Sequence, residues 1–142
     1  MNRLAIPSLI VLLSLVVSVP KITKAQAKGS SDQSLVARGK YIVEDVAMCE
    51  RCHTPRDEHG NPEMNRWLKG GPVQNVLTYP TPTFAGVEPR IAGSPPGTDA
   101  TFITLMTTGI ARTGKPPDPP MPQFHMTRQD AEAVLAYLKS LR

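Results

Sequence analysis

Apolar residues fall into four stretches along the chain, set apart by polar and proline-rich segments. The first, Leu9 to Val19, is a near-continuous run in which only Ser14 and Ser18 are polar, so it has no solvent-facing side. In the second, Leu35, Ile42 and Val46, with Gly39 and Val43 between them, recur every three to four residues. That spacing predicts a helix from about residue 34 to 48, with Asp32 or Ser34 to cap its start. Thr54 to Gly97 then carries eight prolines. Each removes a backbone donor and fixes φ, so this middle is predicted to be mostly loop.

Phe102, Ile103, Leu105 and Met106 mark a third stretch, a helix capped by Thr98 or Asp99 and stopped by Gly109. The chain breaks again at Lys115 to Pro122. Thr127 and Asp130 then open a final helix, along which Ala131, Val134, Leu135, Leu138 and Leu141 trace one apolar stripe. No stretch alternates with period two for long enough to build a sheet, and no repeat is visible, so the class is all-α. Such a domain, with few helices, much loop and only 5% aromatic residues, has a thin core unless something large and apolar fills its centre.

The first apolar run has a different use. Arg3 precedes it, Pro20 follows it, and Ala25, Gln26 and Ala27 supply a small-x-small site. An apolar centre of about 11 residues suits a secretory signal better than a spanning helix, which needs roughly 20. Residues 1–27 are therefore expected to be a signal peptide cleaved after Ala27, residues 28–33 a flexible polar leader, and residues 34–142 the folded domain. This makes the protein periplasmic or otherwise exported. The alternative is an uncleaved anchor, the one case in which the membrane is a partner. Of 16 basic residues, Arg3, Lys21 and Lys24 leave with the signal, so 13 face 12 acidic ones. That near balance argues against a basic surface for nucleic acid or anionic lipid.

The only two cysteines stand in the run Cys49, Glu50, Arg51, Cys52, His53. This is the attachment pattern of a c-type haem, and shuffling the sequence would produce it about three times in ten thousand. Two thiols with two residues between them reach the two vinyl groups at one porphyrin edge, while the adjacent His53 is carried under the iron. Haem c, one per chain and covalent, is thus the expected cofactor. The competing uses of the same residues are a Cys49–Cys52 disulfide, a thiol exchanger, which wants a strand-helix-strand setting, and a zinc site, which needs His59 or His125 as further ligands.

A sixth iron ligand has to come from elsewhere in the chain. Met121 lies among Pro119, Pro120 and Pro122, whose fixed φ angles hold a thioether in place at low entropic cost. Met126 precedes the capping Thr127 and reads as a staple, and Met106 reads as core. Met48, Met64 and His125 are the remaining candidates, and an open position is the last.

With these residues in hand, the sequence resembles the class I cytochrome c family, in particular short bacterial domains that also accompany periplasmic dehydrogenases. Arg38, Gly39, Lys40, Tyr41 is similar to the family's first-helix signature, in which the glycine lets the terminal helices cross closely. Tyr137 and Leu138 resemble its partner on the last helix, and Gly109 with Pro120, Met121, Pro122 resembles the stretch leading to the methionine ligand. The resemblance implies about three to five helices wrapped around one haem, with long proline-rich loops. It implies His53 and Met121 on the iron, and a Gly-Pro pair whose carbonyl orients the imidazole. Gly71 and Pro72 fill that role here, Pro72 coming 19 residues after His53 with an insertion at Arg56 to Asn65. Trp67, Tyr79 and Arg90 are the candidates to bond the haem propionates. The function implied is one-electron transfer in the periplasm between redox protein partners, without catalysis. The alternative is a haem enzyme or gas or redox sensor with an open sixth position.

Overall fold

The computed structural model describes residues 24–74 and 81–141. The apolar run read as a signal, and Tyr79, lie outside them.

The first helix, α1, spans Lys24–Tyr41 and begins well before the residue 34 that the periodicity predicted. Lys24, Ala25, Gln26, Ala27 and Lys28 are good helix formers that carry no apolar period, so a reading based on periodicity passes over them. The same helix ends sooner than residue 48. A π turn, Ile42–Val46, widens it, with the Ala47 N–H donating to the Ile42 carbonyl at 2.7 Å. Met48 then takes a positive φ of 49°. Together they turn the chain and start a short second helix, α2, at Glu50–His53, which the sequence pattern did not predict.

The two later helices match their caps. In α3, Asp99–Thr108, the Thr98 hydroxyl accepts from the Thr101 N–H and the Thr101 hydroxyl accepts from the Thr98 N–H, with left-handed Gly109 closing the far end. In α4, Arg128–Ser140, the Thr127 hydroxyl accepts from the Asp130 N–H at 3.1 Å. The Asp130 carboxylate bonds the Thr127 side chain at the cap and also accepts from Arg38 Nε at 3.0 Å, tying α4 to α1. Among the described residues the only strands are β1, Gly71–Pro72, and β2, Val87–Glu88, an antiparallel pair with Gly71 opposite Glu88. The all-α class stands.

Helices α1 and α3 both pack against α4. The α1–α4 crossing is possible because residue 39 is glycine. A Cβ there would come 1.9 Å from the Ala133 carbonyl oxygen and 2.8 Å from Tyr137 Cβ. Val43, Leu68, Val134 and Leu138 fill the centre, each leucine contributing about 2 kcal/mol by leaving water.

The proline-rich middle is not independent of this core. The Thr54 hydroxyl accepts from the Leu68 N–H, and the His53 carbonyl accepts from the Gly70 N–H. Leu68 in turn accepts from the N–H groups of both Ile91 and Ala92, each at 3.0 Å. The chain leaves α2, loops out and is tied back against it before it reaches α3.

Candidate functional site

The turn at Met48 brings α2 to an apolar cavity. Cys49, Cys52 and His53 line it together with Phe102, Met106 and Met121. The sequence motif and the candidate methionine, nearly 70 residues apart in the chain, therefore share one wall space. Phe124, Val134 and Leu138 complete an almost wholly apolar lining. This apolar gap beside the packed cluster matches the thin core that the composition implies.

His53 is 7% exposed and its ring orientation is fixed. Nδ1 lies 2.8 Å from the Pro89 carbonyl oxygen. A carbonyl can only accept, so Nδ1 carries the proton and Nε2 keeps the lone pair that binds a metal. The orienting carbonyl thus comes from Pro89 and not from Pro72, which is held in β1 opposite Val87. The chain inserted between the histidine and its carbonyl is longer than Arg56 to Asn65: it includes the whole loop from Thr54 to Glu88. Sequence reading stopped at the first Gly-Pro pair, because no local pattern shows that two strands fold the later Pro89 back onto His53.

Gly70 makes this return possible. It has φ +72°, and a Cβ on it would lie 2.5 Å from both the Arg90 nitrogen and the Glu88 oxygen. The backbone of residues 88–90 passes directly against it.

The two thiols are not joined as a disulfide. Burial, followed by the neighbouring Glu50 carboxylate, pushes the Cys49 thiol up to about 11. A thiol held protonated is a poor participant in thiol exchange or thiolate ligation at neutral pH. His59 and His125, the further ligands a zinc site needs, are both exposed, and no group of three or more metal-ligating side chains forms among the described residues.

Of the other methionines, Met106 and Met48 also line the cavity, whereas Met126 and Met64 do not. The Met126 N–H donates to the Met106 carbonyl, and Met64 is 65% exposed. Among the candidates for the propionates, Arg90 Nε donates to the Ala92 carbonyl at 2.7 Å, and Trp67 bonds the Tyr137 hydroxyl.

Sequence reading missed Glu88. It is 3% exposed, lines the cavity, and places Oε2 3.8 Å from His53 Nε2, while Oε1 has no hydrogen-bond partner among the described residues. Nothing around Glu88 in the sequence separates it from a solvated surface glutamate.

The donor set fits a covalently held haem: two thiols and an imidazole line one apolar cavity together with aromatic and thioether side chains. Comparison with known proteins agrees. The profile of a family described as Cytochrome c matches residues 36–142. A protein of Cereibacter sphaeroides named "Diheme cytochrome c-type" is 32% identical over 111 residues, covering 72% of this chain and 34% of the relative. The chain spans about a third of the length of that relative.

Proposed function

This chain belongs to the cytochrome c family, whose members transfer electrons through haem, and from that premise we propose that it is a periplasmic one-electron carrier with a single haem. Cys49 and Cys52 would hold the haem as thioethers, and His53 and Met121 would be the residues that bind its iron. The haem supplies a one-electron iron couple. His53 keeps Nε2 available because Nδ1 donates to Pro89, and that hydrogen bond also makes the imidazole a stronger donor to the metal. Phe102, Phe124, Val134 and Leu138 exclude water. A thioether held in the Pro119 to Pro122 segment needs little rearrangement between oxidation states.

The observation that carries this reading is the convergence of Cys49, Cys52, His53 and Met121 on one apolar cavity. The two cysteines of this sequence suffice for one haem. The diheme relative, matched over a third of its length, does not argue for a second one here. Export follows from the Leu9 to Val19 run and the Ala25, Gln26, Ala27 site, and predicts a mature protein that starts at Lys28 in the periplasmic fraction.

The test is the chemistry of attachment. The denatured holoprotein is expected to keep its colour through acid acetone extraction, to show one haem per chain and to have no titratable thiol. Haem that extracts freely, or a colourless protein with a Cys49–Cys52 disulfide, overturns the proposal.

A further inference from the structure

Glu88 is the feature that the carrier reading leaves without a use. A carboxylate is costly to bury unless a hydrogen bond or an opposite charge compensates it. One oxygen of Glu88 has no partner among the described residues, and the other faces the metal-binding nitrogen of His53 at 3.8 Å. Its place is not incidental: Gly71 pairs with Glu88 across the two strands, and Pro89, the next residue, holds the other nitrogen of His53. The same turn of backbone therefore fixes the imidazole and aims a carboxylate at the position the imidazole serves.

We propose that Glu88 is a positioning residue that biases the iron toward its oxidised state and so lowers the reduction potential. The inference rests on the haem reading above. An iron porphyrin core carries a net positive charge when ferric and none when ferrous. The electron that reduces it therefore removes the charge that compensates Glu88. A charge buried in the same low-dielectric cavity is less screened than one in water. No bond is made or broken at Glu88; it acts through its field on the group bound by His53.

The experiment measures the midpoint potential of the purified holoprotein by spectroelectrochemistry at one pH for the unmutated chain, Glu88→Gln, Glu88→Asp and Glu44→Gln. Glu88→Gln is expected to raise the ferrous-to-ferric ratio at a fixed poise by tenfold or more, which for one electron is about 59 mV. Glu88→Asp keeps the charge and is expected to stay within threefold of the unmutated protein. Glu44 does not line the cavity, and its change to Gln is expected to move the ratio less than threefold. Should Glu88→Gln not accumulate, Glu88→Leu carries the same expectation. A Glu88→Gln midpoint that does not move, with the axial ligands spectroscopically intact, overturns the inference. So does a Glu88→Asp shift as large as that of Glu88→Gln, which would mark a packing effect. Failure of the haem reading looks different, because the unmutated protein would then hold no covalent haem to titrate.

Discussion

The Nδ1–H of His53 donates to the carbonyl of Pro89, 36 residues further along the chain, at 2.8 Å. The bond depends on Gly70, against which residues 88–90 pass too closely for any side chain. Gly70→Ala adds a methyl group 2.5 Å from backbone atoms and also strains a left-handed residue. We expect a loss of about 2 kcal/mol or more, and displacement of Pro89 from the ring. Thermal melting reads the first, and the shift of the His53 Nδ1 proton by NMR reads the second. An unchanged proton resonance would show that the loop does not hold the histidine.

Gly39→Ala tests the crossing of the terminal helices. The new Cβ overlaps the Ala133 carbonyl at 1.9 Å, backbone against helix backbone, so no rotamer relieves it. The expected cost is about 3 kcal/mol, enough to lower the melting temperature of the holoprotein by roughly 10 °C or more. Its midpoint potential should hardly change, because Gly39 does not line the cavity. A variant as stable as the parent would mean that α1 and α4 do not meet at this point.

The parts of the fold that the sequence revealed are those set by local rules. Thr98 and Thr127 cap helices because a hydroxyl at that position satisfies an end N–H whatever lies around it, and the Leu138 stripe repeats with the helix. The attachment run at Cys49 to His53 is legible for the same reason, being contiguous. Pro89 and Glu88 were not legible, since their roles arise only when Gly71 and Pro72 pair with Val87 and Glu88 and return the chain to His53. The end of α1 was missed in a related way. Ile42, Val43 and Val46 have ordinary helical spacing, and nothing in that spacing marks the π turn they form. The stiff surroundings of Met121 favour it in the sequence, and it does line the cavity, but so do Met48 and Met106, the latter a core residue by its helical pattern.

Tyr137 and Glu44 give a pH signature remote from the haem cavity. The Tyr137 hydroxyl donates to Glu44, which Lys40 also bonds. Burial, with the Glu44 carboxylate adding to it, pushes Tyr137 up to about 12. A folded-state value above the ordinary 10.0 favours the folded state fully below pH 10, and that contribution is lost as pH rises from there toward about 12. On Glu44 burial acts upward, but the hydrogen bonds from Lys40 and Tyr137 outweigh it and hold the carboxyl below its ordinary value. Its contribution is therefore present above that ordinary value and fades as pH falls through the lowered one. Tyr137→Phe should flatten the alkaline fall in melting temperature while leaving an acid fall. If both variant and parent lose stability equally above pH 10, Tyr137 is not the group responsible.

The sixth ligand decides between a carrier and a reactive haem, and the cavity narrows the choice. Met126 and the exposed His125 do not line it, whereas Met121, Met106 and Met48, the last directly before the attachment run, do. Met106 sits within α3 at 5% exposure, where its neighbours on the helix fix its reach. Met121 lies on a loop segment whose backbone N–H bonds the Asp118 carbonyl and whose prolines limit its motion. A thioether on the iron in both oxidation states denies small molecules direct access and raises the potential. We therefore expect the ferric protein to show the weak near-red band of methionine-ligated haem. Met121→Ala should lose it, lower the potential by about 59 mV or more, a tenfold change in the ferric-to-ferrous ratio, and bind carbon monoxide or cyanide readily. Met126→Ala should do none of these, and Met106→Leu should keep the band because it preserves the apolar wall. A band that survives Met121→Ala and disappears in Met106→Leu would move the ligand to α3. Fast carbon monoxide binding by the unmutated protein would instead replace the carrier with an enzyme or sensor whose sixth position is open.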